Sequence, residues 1–155
     1  MSKMDWLLDK YGESHQNATN KMIHWICVPA IVFSLFGMIY CIPFFTEKTL
    51  FMNWAAVLYL GALVYYFSLS RAMFFGFIVV GGLILFGNHT LAMLVGSTQS
   101  MVMASIGIFV AAWIGQFIGH KIEGKKPSFL EDLQFLMIGP AWLLHFIYKK
   151  LGINY

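Results

Sequence analysis

Four stretches of the chain, roughly 22–43, 50–69, 72–95 and 101–119, carry almost only apolar side chains. Each is close to the ~20 residues a helix needs to cross the hydrocarbon core of a bilayer. Within the first three, the side chains of ionisable type are His24, Cys27, Cys41, His89 and tyrosines. Lipid offers no hydrogen bonds to the backbone, so such runs have to be helical. Before them, Met4, Leu7, Leu8 and Tyr11 fall at the i, i+3, i+4, i+7 spacing of one helix face. Ser2 and Asp5 stand at the spacing of a capping box, which predicts a short helix lying in the membrane surface. Near the end, the apolar stretch 133–147 is shorter and contains Pro140. With Pro127 and Ser128 stopping the preceding helix and Ser128 and Glu131 spaced as a second capping box, it predicts a re-entrant or interfacial helix over 129–148. The pattern therefore predicts an all-α integral membrane bundle of about four transmembrane helices, flanked by an N-terminal interfacial helix and this C-terminal one. No internal repeat, low-complexity tract or linker divides it, so residues 1–155 read as one membrane-embedded domain. The 21-residue segment before the first span, polar overall and with acidic residues in it, argues against a cleavable signal peptide.

Composition sharpens this picture. Apolar residues make up 59% of the 155 positions and charged ones 11%, against about 45–50% and 25% in soluble domains. With a mean hydropathy of +0.72, the chain is not a soluble globule, a disordered segment or a nucleic-acid binder. The net charge of +3 matters through its placement. Lys3, Lys10, Lys21, Arg71, Lys121, Lys125, Lys126, Lys149 and Lys150 fall on one side of a four-span topology and Lys48 alone on the other. Basic residues are retained on the cytoplasmic side, so both termini are expected there. Cys27 and Cys41, 14 residues apart on one span, are out of reach of a disulfide.

Polar groups at membrane depth need a reason, and topology sorts the five histidines. His15 precedes the first span, His24 begins it, and His120 with Glu123 closes the fourth, so three imidazoles are expected at one membrane level. His15 and His24, nine residues apart, would point to opposite faces of a continuous helix. They can meet only if the backbone breaks between them, and Asn17, Thr19 and Asn20 are residues that favour such a break. His120 and Glu123, at i and i+3, share a face. Three neutral imidazoles, with or without a carboxylate, suit Fe(II), Zn(II) or Mn(II), and spacing does not choose among them. His89 lies at the far end of span three and would join the others only if that helix broke at Gly87 and Asn88. His145 has only its residue type to recommend it. Each histidine also has an ordinary reading as a hydrogen-bonding polar residue between helices. On that reading the chain is a non-enzymatic small membrane protein, a transporter or assembly factor with structural histidines. Nucleophile elbow, Walker loop, HExxH and CxxC motifs are absent.

Two blocks carry a family resemblance. His15-Gln-Asn17-Ala-Thr-Asn20-Lys-Met-Ile-His24-Trp-Ile-Cys-Val-Pro29 resembles the HxNxxNxxxHxxxxP opening of the Mpo1-like family, formerly domain of unknown function 962. Gln116-Phe-Ile-Gly-His120-Lys-Ile-Glu123-Gly-Lys-Lys-Pro127 resembles its QFxGHxxxExxxP segment, with one residue fewer between His120 and the acid, and Gly139-Pro140 matches its closing proline. The acidic residue that some members carry shortly afterwards is replaced here by the run Leu144, His145, Phe146. The resemblance implies an Fe(II)-dependent membrane dioxygenase of fatty-acid α-oxidation, converting a 2-hydroxy fatty acid and O₂ to an acid one carbon shorter. It implies His15, His24 and His120 as iron ligands, Glu123 as a fourth ligand or an orienting acid, and Asn17, Asn20 and Gln116 as supporting hydrogen-bond partners. Lys121, Lys125 or Lys126 would attract the substrate carboxylate. A bacterial inner membrane and the endoplasmic reticulum are both compatible locations.

Overall fold

The computed structural model describes residues 2–124 and 135–155, and among these it contains six helices and no strand. Helix α1 (Lys3–Gly12) begins at the expected capping box: Asp5 N–H donates to Ser2 Oγ at 3.0 Å, and Ser2 N–H donates to Asp5 Oδ2 at 2.9 Å. It buries Met4, Leu8 and Tyr11, three of the four residues of the expected face, and leaves Trp6 exposed.

Helix α2 (Ala18–Cys41) is capped by Asn17, whose Oδ1 accepts from Thr19 N–H at 2.9 Å and Asn20 N–H at 3.3 Å. The backbone break expected between His15 and His24 is thus present, ending at Asn17, with Thr19 and Asn20 already in the first turn of the helix.

Helix α3 (Trp54–Leu69) is shorter than the 50–69 run. Asn53 explains this, since its Oδ1 accepts from Ala56 N–H while its Nδ2 donates to the carbonyls of Thr49 and Leu50, starting the helix four residues late. At 16 residues, ~24 Å of rise, α3 is apolar but short of a ~30 Å hydrocarbon core.

Ser70 both ends α3 and caps α4 (Arg71–Val95), which runs unbroken through Gly87 and Asn88. Helix α5 (Thr98–Glu123) stops at Gly124, where φ is 75°, a left-handed value that glycine adopts without a Cβ clash. Helices α2, α4 and α5, with 24, 25 and 26 residues, are long and apolar enough to cross a membrane. Side chains such as Leu60, Val64, Phe75, Val79, Leu83 and Met103 are exposed along their faces and that of α3, as lipid contact requires. Among the described residues, three helices of spanning length and the shorter α3 correspond to the four runs expected.

Helix α6 (Ile138–Leu151) follows a turn at residues 135–137, covers the described part of the expected 129–148 helix from 138 onward and runs three residues past 148, while 129–134 lie outside the described residues. Pro140 falls in its first turn, where the missing N–H has no helical partner to lose. The expected helix stop at Pro127 and Ser128, the Ser128–Glu131 box and Lys125 and Lys126 lie outside the described residues. Helix α6 packs on α1 through Met4, Leu8, Tyr11, Trp142 and their neighbours and is tied to α4 by Tyr148 Oη donating to Ala72 O at 2.6 Å.

Helices α2 and α5 form the central antiparallel pair. An added Cβ at Gly115 would meet Cys27 Sγ at 2.6 Å, and one at Gly119 would meet Asn20 Oδ1 at 2.4 Å. Small residues four apart let two helices approach this closely. That contact fixes how both helices are rotated about their axes.

Candidate metal centre

The start of α2 and the end of α5 carry His24 and His120, and the short link between α1 and α2 carries His15. All three are buried, at 2%, 0% and 4% exposure for His15, His24 and His120. One ring nitrogen of each lies within 4.8 Å of the corresponding atom of the other two. Ring centroids are 4.2 Å apart for His15 and His24, 5.1 Å for His24 and His120, and 5.4 Å for His15 and His120, with interplanar angles of 81°, 87° and 66°. These rings are not stacked on one another. They meet edge to face around a common point, and a shared ion at ~2.0–2.1 Å from each nitrogen is of that scale.

Backbone carbonyls set the tautomers. His15 Nδ1 lies 2.7 Å from Tyr11 O and His24 Nδ1 lies 2.9 Å from Asn20 O. A carbonyl only accepts, so the proton sits on Nδ1 in both rings, and in the neutral form Nε2 keeps its lone pair. This is the usual outer support of a metal-bound imidazole. The three Nε2 atoms are shut off from solvent. The donor set fits a divalent first-row ion: three neutral nitrogen ligands, two of known tautomer, in a site that excludes bulk water.

Tyr11 does more than offer a carbonyl. Its ring stacks on His15 at 4.2 Å and 15°, and Trp142 of α6 stands 5.2 Å from the same imidazole. The role of Tyr11 escaped the sequence reading, which counted it only as part of an apolar face. Its position four residues before His15 was the available signal, since that spacing allows a ring Nδ1 to reach the carbonyl one turn back.

Glu123 stands apart from the three-histidine group. Its carboxylate accepts from Gln16 N–H at 2.8 Å, Asn17 N–H at 2.9 Å and Asn20 Nδ2 at 2.9 Å. The acid thereby fastens the link bearing His15, and the first turn of α2, to the end of α5. Asn17 caps α2, and Asn20 joins Glu123 to Ser14 O, so both support the loop. Gln116, also buried, sits one turn before His120 and lines a cleft with Tyr11, Val28, Ile31, Trp113, Phe135, Leu136 and Gly139.

The remaining histidines lie elsewhere. His89 Nδ1 is 2.9 Å from Tyr40 Oη, near the end of α2 remote from His24. The unbroken α4 keeps it from turning toward the triad. His145, on α6, pairs with the Tyr155 hydroxyl beyond the end of that helix. Lys121 is exposed on the last turn of α5.

A family model described as 2-hydroxy-palmitic acid dioxygenase Mpo1-like matches residues 1–151. A curated relative, the 2-hydroxy-palmitic acid dioxygenase MPO1 of Saccharomyces cerevisiae, is 29% identical over 144 residues, covering 92% of this chain and 78% of the yeast protein. No solved structure matches the chain.

Proposed function

The chain belongs to the Mpo1-like family, and from that premise we propose that it is a membrane-embedded, Fe(II)-dependent dioxygenase of fatty-acid α-oxidation. On this reading it takes a 2-hydroxy fatty acid and O₂ and releases an acid one carbon shorter. The observation that carries the proposal is the convergence of His15, His24 and His120, from opposite ends of the chain, on one buried point. Spacing and donor type accept Fe(II), Zn(II) and Mn(II) alike; the dioxygenase name of the yeast relative favours a redox-active ion.

His15, His24 and His120 would hold the ion, which when bound supplies a Lewis-acidic, redox-active centre with positions left for O₂ and for a chelating hydroxy-carboxylate. The other residues make that arrangement rigid. Tyr11 O and Asn20 O keep two imidazoles in the metal-binding tautomer, and Glu123 holds the His15 link against α5. Burial of the triad excludes bulk water, which strengthens every electrostatic contact inside. The triad's place at one end of the α2–α5 pair lets a charged head group reach it from the membrane edge while the acyl tail stays in apolar surroundings. Lys121, exposed at that end, would draw the carboxylate inward. Both termini would face the cytoplasm, whether the membrane is a bacterial inner membrane or the endoplasmic reticulum.

Metal analysis and turnover on the detergent-purified protein test this directly. The expected result is about one iron per chain, with loss of both iron and 2-hydroxy fatty acid consumption in His15→Ala, His24→Ala and His120→Ala. Wild-type iron content and turnover in all three variants would overturn it.

A further inference from the structure

His24 and His120 ride on helices of spanning length, whereas His15 stands on the link before α2, and its local ties run back to α1. Its backbone N–H donates to Gly12 O at 3.0 Å and its Nδ1 to Tyr11 O at 2.7 Å. The Tyr11 ring lies nearly flat against the imidazole, with centroids 4.2 Å apart at 15°. Trp142 of α6 stands 5.2 Å from that imidazole and 5.4 Å from Tyr11, edge-on to Tyr11 at 62°. All three rings are buried. The third histidine is therefore carried by the end of α1 and held between a ring from α1 and a ring from α6. Helix α1 in turn docks on α6 through Met4, Leu8 and Tyr11, in one apolar cluster with Trp142. Its 10 residues are fewer than the ~12–15 at which an isolated helix becomes even marginally stable in water, so its order depends on that docking.

We infer that Tyr11 and Trp142 are positioning residues of the metal centre, and that docking of α1 on α6 and retention of the ion are one linked equilibrium. The inference rests on the triad holding a divalent ion and on nothing further in the reading above. An ion shared by the triad selects the arrangement in which His15 faces His24 and His120, and in that arrangement His15 is stacked on a docked α1. Ion binding therefore stabilises the docked helix, and by reciprocity a change that undocks α1 weakens ion binding by the same factor. The two contributions of Tyr11 are separable. Its carbonyl, which sets the tautomer of His15, survives any side-chain substitution, so Tyr11→Leu removes the stacked ring alone. Leu8 gives access to the docking without touching the stack, since it is buried on the same face one turn before Tyr11.

The test uses full-length protein in detergent, with Zn(II) as a redox-inert probe of the triad. Zn(II) affinity and amide hydrogen exchange in α1 are measured on wild type, Tyr11→Leu, Tyr11→Phe, Trp142→Leu and Leu8→Asp, each checked for wild-type helicity. Leu83→Ala, on the exposed face of α4, is the neutral control. Expected is a loss of affinity of about tenfold or more in Tyr11→Leu, Trp142→Leu and Leu8→Asp, the usual effect of removing a group that orients a metal ligand. Tyr11→Phe, which keeps the ring, should bind like wild type, a rescue that a role of the Tyr11 hydroxyl would not give. In wild type, saturating Zn(II) should slow exchange in α1 by a similar factor, and Tyr11→Leu should lose most of that protection. Leu8→Ala replaces Leu8→Asp if the charged variant does not fold. Wild-type affinity in the folded Leu8 variant, or exchange in α1 that is indifferent to Zn(II), overturns the inference. Failure of the metal reading itself looks different: wild type would take up no divalent ion at all, and the inference would fall with it.

Discussion

The carboxylate of Glu123, the last residue of α5, accepts the backbone N–H of Asn17, the cap of α2, across 106 positions of sequence at 2.9 Å. With Gln16 N–H and Asn20 Nδ2 on the same carboxylate, the acid acts as a clasp for the link that presents His15. Hydrogen bonds to a charged group are worth about 1.5–3 kcal/mol when well sheltered, and partial exposure lowers this. Glu123→Ala is expected to weaken metal retention at least tenfold, because His15 loses its fixed position, while Glu123→Gln, which still accepts, retains more. Metal content after dialysis against a graded chelator series checks this. Equal retention in wild type and Glu123→Ala would show that the link holds itself.

Gly119 is one of the tightest points of the α2–α5 contact, its added Cβ falling 2.4 Å from Asn20 Oδ1, equal to that of Gly37 against Ser105 Oγ. Gly119→Ala should force the two histidine-bearing helices apart, costing about 1–3 kcal/mol and lowering metal occupancy. Gly107 on the same helix has nothing within 4 Å of such a Cβ. Gly107→Ala should leave stability unchanged or raise it slightly through helix propensity. Thermal unfolding in detergent, run on both variants, separates a packing effect from a general intolerance of change in α5.

His89 and His145 serve Tyr40 and Tyr155 rather than the triad. His89→Ala and His145→Ala are expected to keep wild-type metal content. Loss of metal in His89→Ala would mean that α4 reaches the triad in a conformation other than this one.

The far half of the bundle has its own polar lock. Asn88, fully buried, donates from Nδ2 to Phe33 O on α2 at 3.1 Å and Ile84 O at 3.0 Å. Hydrogen bonds between membrane helices average only ~0.6 kcal/mol, so Asn88→Ala should lower the melting point by a few degrees with metal content intact. A drop in metal content as large as that of a triad variant would contradict the separation of the two ends.

At the N-terminus, Asp5 is held below its ordinary carboxyl value of 3.8 because the Ser2 hydroxyl and backbone N–H donate to it. A depressed folded value means that the cap stabilises α1 above 3.8 and that this contribution is lost as pH falls through the lowered value. Amide hydrogen exchange in α1, taken relative to the intrinsic rate at each pH, should therefore accelerate on acidification through the carboxylate range. In Asp5→Asn it should be faster at neutral pH and show less dependence. An identical profile in both would remove the box from any role in holding α1.

Hydropathy runs, caps and breaks were legible along the chain because each is decided by contiguous residues: bilayer thickness acts on a stretch of ~20, and a cap on four. Thus Ser2 with Asp5, Asn17 before α2 and the long α2, α4 and α5 could be read directly. The start of α3 was misplaced because Asn53, lying in an apolar run, was not recognised as a cap. Pro140 does not interrupt the C-terminal helix because it stands in the first turn of α6, where its missing N–H costs no helical bond. The common membrane level of the three histidines also followed from topology. Their convergence was implied only by the family resemblance, and the attachment of Glu123 to the His15 link and the pairing of His89 with Tyr40 were not legible at all. Those depend on the rotation of each helix about its own axis, and local hydropathy leaves that rotation undetermined in a helix apolar on every side. It is set where Gly115 and Gly119 let α5 settle against Cys27 and Asn20, a contact between residues nearly a hundred positions apart.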